Sequence, residues 1–231
     1  MDFSIDSKAQ DLLQEIATLL TERFPEIEAQ SLQRFTQQFY HDVAAEDLLE
    51  RNSLDLYGAA LAAWHFIHEC APNEHKVRVY NPQFEQHGWQ SAHTIINTLM
   101  QDMPFLVDSI RIALNQQGLT VHLVIHPVFV VSRNSEGKLL EVIACEDDEL
   151  ETHCLPESSP DTVYQRESLM HIEVDRHTDP QLLSEIAHAL SNVLNDVRLA
   201  ITDWQAMRQQ LTQILQELTT TPPPVSDEEL Q

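Results

Sequence analysis

This sequence is poor in glycine, in cysteine and in positive charge, and each shortage removes a class of function. Only four of its 231 residues are glycine, Gly58, Gly88, Gly118 and Gly137. No two lie close enough to form a loop that cradles phosphates, so nucleotide binding by a Gly-rich fold is not expected. Three cysteines, Cys70, Cys145 and Cys154, are an odd number at spacings that make no metal knuckle. They read as reduced thiols of a cytoplasmic protein. Thirteen Lys and Arg stand against 37 Asp and Glu, a formal charge of −24 that repels the phosphates of nucleic acid and of anionic membranes. No apolar run approaches the ~20 residues of a membrane span, and the N-terminus carries no targeting signal. Neither nucleic acid nor membrane is expected as a partner.

What is present is an apolar fraction of 42% arranged in clear periodicities, which excludes disorder for most of the length. From about Ser7 to Cys70 the period is helical. Leu12, Leu13, Ile16, Leu19 and Leu20 mark a first helix, and Leu32, Phe35 and Phe39 mark a second beyond Pro25. A third runs from Leu54 to Cys70 and ends before Pro72-Asn73. Residues 1–72 therefore read as a helical segment and 73–218 as an α+β domain. In the latter, Lys76–Tyr80 alternates as a strand with Val77 and Val79 inward. Asn134-Ser135-Glu136-Gly137 reads as a hairpin turn into a strand at Lys138–Cys145, with Leu140, Val142 and Ala144 on one face. Glu146–Pro160 is acidic and irregular. A strand at Ser168–Asp175 points Met170, Ile172 and Val174 inward and His171 and Glu173 outward.

Thr178-Asp179-Pro180 opens the longest helix. From Leu183 and Ile186 to Ile214 and Leu218 its apolar residues follow a 3,4 spacing, a sustained heptad seam. The near part is expected to pack on the sheet and the far part to need a partner. Residues 219–231, with Pro222-Pro223-Pro224, read as a linker tail, and the chain looks cut from something longer.

The most informative stretch is Ser91–Val131. An extended run, Ser91–Gln101, breaks at Asp102-Met103-Pro104. A helix with Leu106, Ile110, Ala113 and Leu114 on its core face follows, and Gly118 supplies a left-handed stop. Pro104 suits the first turn of that helix, and Asp102 reads as its cap. A long strand then alternates from Leu119 through Val121, Leu123, Ile125 and Phe129 to Val131. The opposite face, with His122, Val124, His126, Val128 and Val130, is too apolar for open water and suggests a cover or partner. Pro127 cannot donate to a ladder, so it belongs at an edge or a bulge. The order is half of a βαββ-type regulatory domain.

No catalytic constellation emerges. His122 and His126 on one strand face are separated by about 13 Å, too far for one ion. His65 and His68 lie one helical turn apart beside Glu69 and Cys70, but nothing nominates the further ligands a zinc site needs. His153 and Cys154 are neighbours in a loop. Asp102 and Asp108 are explained by capping and by complement to the helix dipole.

Several stretches together resemble the N-terminal region of the very large bacterial NAD-specific glutamate dehydrogenases. They are Val43-Ala44-Ala45-Glu46-Asp47-Leu48, Asp55-Leu56-Tyr57-Gly58-Ala59-Ala60, Lys76-Val77-Arg78-Val79-Tyr80-Asn81-Pro82, Gly88-Trp89-Gln90-Ser91, Asp102-Met103-Pro104-Phe105-Leu106-Val107-Asp108-Ser109, Gly118-Leu119-Thr120-Val121-His122, Ile125-His126-Pro127-Val128, Asp196-Val197-Arg198 and Asp203-Trp204. The resemblance implies an ACT-like domain with a ferredoxin-like antiparallel sheet. It implies a parent enzyme that converts L-glutamate, NAD and water to 2-oxoglutarate, ammonia and NADH. This chain would hold neither the substrate lysine nor the dinucleotide fold, and so no catalytic residue and no cofactor of its own.

By the same resemblance the chain regulates or assembles, as a homo-oligomer and with downstream domains of its own polypeptide. Asp102, Pro104, Phe105, Asp108, His122 and His126 are the candidate effector or interface residues. Ligand-binding ACT domains commonly place a small residue after the proline of the first strand-to-helix loop. Here Phe105 stands there, and a phenyl ring filling the site favours assembly. The alternative is an amino-acid sensor using Asp102, the amides after Pro104 and the first helix. A third reading, an independent small enzyme using Asp102, Asp108 and a histidine, lacks the loops and spacings it would need.

Overall fold

The computed structural model of the protein describes residues 3–143, 158–159 and 161–220. Four helices come first: α1 (Phe3–Arg23), α2 (Glu26–Tyr40), α3 (Ala45–Leu49) and α4 (Ser53–Ile67). Pro25 separates the first two and cannot continue a helix inward. Asn52 caps α4 by accepting from the Asp55 amide at 2.8 Å. The α+β part follows as β1 (Lys76–Tyr80), α5 (Phe84–His87), β2 (Thr94–Gln101), α6 (Leu106–Gln116), β3 (Val121–Ile125), β4 (Val128–Arg133), β5 (Leu139–Ile143), β6 (Val163–Val174) and α7 (Pro180–Thr220). The short helices α3 and α5 lie below what periodicity can detect.

The strands form one antiparallel sheet in the order β1-β2-β6-β4-β5, with β3 beside β4 along the same edge of β6. Chain from β2 crosses through α6 and returns as β3, leaving between them the place that β6 fills. That is the ACT-like, α+β arrangement expected from the sequence. Both faces of the sheet are covered. On one, Leu99, Leu123, Ile125, Phe129, Val131 and Leu169 pack against α1–α4. Phe35 is the hub there, with ring centroids 4.9 Å from Phe129, 5.6 Å from Phe39 and 5.3 Å from Trp64. On the other face Ile96, Met100, Met170, Ile172 and Val174 pack against α6 and the first half of α7 through Ile110, Leu114, Ile186 and Leu190. Each such side chain contributes about 1.5–3 kcal/mol by leaving water.

Several local expectations need correction. The long strand at Leu119–Val131 is two strands, interrupted at His126-Pro127, where the Pro127 carbonyl still accepts from the Leu169 amide at 3.1 Å. A bulge between Val121 and Leu123 also switches faces, so Leu119 and Val121 pack with α6 and α7 while Leu123 and Ile125 pack under α1–α4. A second irregularity opposite Ser132 and Arg133 buries Leu139 and Val142 and leaves Leu140 exposed, whereas Ala144 and Cys145 fall outside the described residues. On β6, His171 and Glu173 do not face out. They are buried, because the helical layer covers the face that alternation assigned to water.

One ion pair pins these layers together. Arg133 Nε and Nη2 donate to the two Glu167 carboxylate oxygens at 2.5 and 2.6 Å. Its Nη1 and Nη2 also reach the carbonyls of Gly137 and Ile67, each at 2.8 Å. Hairpin, β6 and the end of α4 are thereby joined at a point shielded from water.

Candidate functional site

The residues nominated at the start of α6 do not form a cluster. Asp102 is not the cap of α6, since no side chain caps this helix and its first residue, Leu106, follows Phe105. The Asp102 carboxylate instead meets Arg166 Nη2 at 3.3 Å, and its amide donates to the Arg166 carbonyl. Pro104 precedes the first turn, and Asp108 is exposed within it. Gly118 does end α6, at φ +71°, with the Leu119 amide reaching back to the Leu114 carbonyl at 3.1 Å.

Phe105 is the unexpected member. It adopts φ +71°, a left-handed conformation that costs a bulky residue about 1–2 kcal/mol, and the residue is 68% exposed. The ring lines an apolar groove of about 600 Å³ together with Val197, Ala200, Ile201 and Trp204 of α7. From here α7 leaves the sheet. Ile186, Leu190, Leu194 and Val197 are buried, whereas Trp204, Met207, Leu211, Ile214, Leu215 and Leu218 are exposed. Of the two apolar surfaces expected to lack a cover, the strand face is partly occupied: Val130 is buried, His126 and Val128 are half-buried, and His122 and Val124 are exposed. The far half of α7 is the open one.

His122 and His126 each have their own partner. His122 Nε2 lies 2.7 Å from Asp175 Oδ1, and His126 Nε2 lies 2.7 Å from Ser168 Oγ. Hydrogen bonds from Thr120 and then His122 hold the Asp175 carboxyl below its usual range, while burial lowers the His126 imidazole. Among the described residues no group of three or more His, Cys, Asp or Glu side chains is arranged to hold a metal ion. None of the described helices is long and apolar enough to cross a membrane.

A polar cleft of about 270 Å³ lies between the helical layer and the sheet, in a place no motif signals. Its centre is the buried carboxylate of Glu173 on β6. Arg51 Nη2, from the segment joining α3 to α4, donates to Glu173 Oε2 at 2.8 Å, and His93 Nδ1, just before β2, lies 3.0 Å from the same oxygen. His171, two residues back on the same face, puts Nδ1 2.9 Å from Asn97 Oδ1 and Nε2 4.0 Å from Glu173 Oε1. Burial drives the His171 pKa down to about 4 despite the opposing pull of Glu173, so the ring is neutral near pH 7. Burial likewise raises the Tyr40 phenol, whose hydroxyl donates to the Leu56 carbonyl at 2.8 Å. The His93 ring also stacks on His122 with centroids 4.4 Å apart. Sequence reasoning missed this cleft because Arg51, His93, Asn97 and Glu173 come from four separate segments. The one available signal was a polar pair, His171 and Glu173, on a strand whose other face is apolar at Met170, Ile172 and Val174.

The two-sided sheet with its β-α-β crossover and its C-terminal helix defines a domain of the ACT-like class. The chain belongs to the family of the glutamate dehydrogenase ACT1 domain, whose sequence profile matches residues 35–190. It is similar to the NAD-specific glutamate dehydrogenase of Halomonas elongata, 44% identical over 213 residues that cover 92% of this chain and 12% of that protein. Its similarity to the NAD-specific glutamate dehydrogenase of Pseudomonas aeruginosa is 33% identity over 228 residues, 99% of this chain and 13% of that protein. The chain thus spans roughly an eighth of the length of these curated relatives.

Proposed function

We propose that this chain is a non-catalytic assembly and regulatory module of an NAD-specific glutamate dehydrogenase, which oxidises L-glutamate with NAD and water to 2-oxoglutarate, ammonia and NADH. Catalysis and NAD binding belong to other parts of such an enzyme, and this module sets how copies and neighbouring domains come together.

The observation that carries this reading is the far half of α7. Trp204, Met207, Leu211, Ile214 and Leu218 continue the heptad spacing after the helix has left the sheet, and all five are exposed. Between Trp204 and Leu218 only Arg208 and Glu217 are charged, so the stretch is neutral within a chain of net charge −24. Two copies therefore meet here without the repulsion that opposes contact elsewhere. The spacing is also self-complementary. With a two-fold axis between Thr212 and Gln213, an antiparallel pair sets Met207 of one copy against Leu218 of the other and Leu211 against Ile214. Phe105, displayed in a strained conformation at the root of this stripe, extends the same apolar surface.

Sedimentation equilibrium tests the assembly. The wild-type chain should form a concentration-dependent dimer that Leu211→Glu dissociates with the melting temperature little changed. A wild type that stays monomeric at high micromolar concentration, or a dimer indifferent to Leu211→Glu, overturns it. Glutamate-dependent NADH formation by the purified chain would overturn the non-catalytic half of the reading.

A further inference from the structure

We propose that the cleft around Glu173 is a binding site for a small organic cation carrying a primary ammonium group. The argument starts from hydrogen-bond supply. Glu173 has two donors on Oε2, from Arg51 and His93, and none among the described residues within hydrogen-bond distance of Oε1. Asn97 Oδ1 is an acceptor only, so with the Asn97 amide in this orientation the 2.9 Å contact draws its proton from His171 Nδ1, and Asn97 Nδ2 is left buried without a partner. The neutral ring then presents the lone pair of Nε2 toward the cleft. Two acceptors, Glu173 Oε1 and His171 Nε2, thus face one another 4.0 Å apart, both on residues that line the cavity.

Both residues line the cleft, so a donor held between the two acceptors, from water or from a ligand, would be shared by both. A nitrogen ~2.8 Å from each atom would see them at roughly 90°, which two N–H bonds of a single ammonium can serve. Charge chooses among donors. Glu50, Asp55 and Glu173 line the cleft against Arg51 alone of the lysines and arginines, and the chain carries net charge −24, so a cation is drawn in more strongly than a neutral donor. Shape restricts the rest of the molecule. Leu56, Ala59, Trp89, Leu123 and Ile125 supply apolar walls around about 270 Å³, room for a short aliphatic body. The cleft lies on the sheet face opposite α7 and the Phe105 groove, so this inference stands or falls apart from the assembly reading.

The test is an NMR titration of the isotopically labelled 231-residue chain with ethylammonium chloride. Tetramethylammonium chloride, which has no N–H, and sodium chloride at equal ionic strength serve as controls. Saturable shifts of the Trp89 indole N–H and of the His171 ring nitrogens are expected with ethylammonium alone. The free protein should already show the Nδ1–H tautomer of His171. Glu173→Gln should weaken the binding about tenfold or more, as expected for loss of a charged acceptor. Ala59→Leu, which fills the cleft and leaves every polar atom in place, should abolish it. The proposal is overturned by an Nε2–H tautomer, by equal shifts with all three salts, or by no saturable shift, which would mean that water alone bridges the pair. Undiminished binding by Ala59→Leu would also overturn it, since the cation would then sit elsewhere.

Discussion

Replacing Arg133 by methionine gives the sharpest test of how the α1–α4 layer is fastened to the sheet. The guanidinium makes four hydrogen bonds, two to Glu167 and one each to the Gly137 and Ile67 carbonyls. Both side chains of the pair are nearly sealed from solvent. Arg133→Met keeps much of the volume but strands the Glu167 carboxylate, whose remaining donor is Gln165 Nε2 at 2.7 Å. Breaking one partner of a buried pair costs about 3–5 kcal/mol. That is a fifth or more of the ~5–15 kcal/mol by which domains are stable. At about 2–4 °C per kcal/mol for a chain of this size, the melting temperature should fall by roughly 6–20 °C.

The double variant Arg133→Met with Glu167→Leu removes the stranded charge and should recover part of the loss. It cannot recover all of it. The Gly137 carbonyl keeps the Cys70 amide at 3.0 Å, but the Ile67 carbonyl loses its side-chain donor, leaving a net cost of about 1–3 kcal/mol. Urea unfolding of the wild type, both single variants and the double variant measures the cycle. A single Arg133→Met cost below about 1 kcal/mol, or a double variant as unstable as the sum of the singles, would refute the reasoning.

Three further outcomes follow from the same structure. Phe105→Gly should stabilise the fold by roughly 1 kcal/mol, since glycine accepts φ +71° freely and little ring burial is lost; a lower melting temperature would show that the ring holds the groove together. Gly118→Val should cost about 1 kcal/mol or more through backbone strain alone, because a Cβ there meets nothing within 4 Å, and an unchanged melting temperature would contradict that account. His171 has a folded pKa of about 4 against an unfolded 6.5, so the unfolded chain binds more protons between those values. Its contribution is therefore intact above pH ~6.5 and lost as pH falls toward 4, by at most about 3 kcal/mol, and His171→Gln should flatten that slope in urea midpoints taken across the range.

The elements set by local chemistry were legible from the residues. Lys76–Tyr80 is a strand with the stated bounds, Pro180 opens α7, and Gly118 stops α6 because a left-handed residue is needed there. What escaped was set by partners distant in the chain. Alternation on β6 assigned Glu173 and His171 to solvent, since period 2 tells one face from the other but not whether a second helical layer covers it. The bulge between Val121 and Leu123 moved half a strand to the opposite core without changing its composition. Asp102 reads as a cap by position, yet Arg166, on a strand 64 residues later, claims its carboxylate. Of the charged and imidazole groups that meet in the cleft, alternation singled out His171 and Glu173, and in the wrong orientation. Arg51 and His93 are unremarkable until folding brings them to one oxygen.

The 41 residues of α7 make a rod about 60 Å long at 1.5 Å per residue, clamped to the sheet over its first half and free beyond Ile201. A rod held at one end is a lever. The free part measures roughly 30 Å, so a tilt of ~10° at the clamp carries its tip about 5 Å, one helical turn's worth of travel. The clamp consists of Ile186, Leu190 and Leu194 seated against Met170, Ile172 and the face of α6. Over the ~12 Å from Ile186 to Leu194 the same tilt amounts to about 2 Å, so a modest repacking of the clamp would swing the far end far enough to make or break a side-chain contact there.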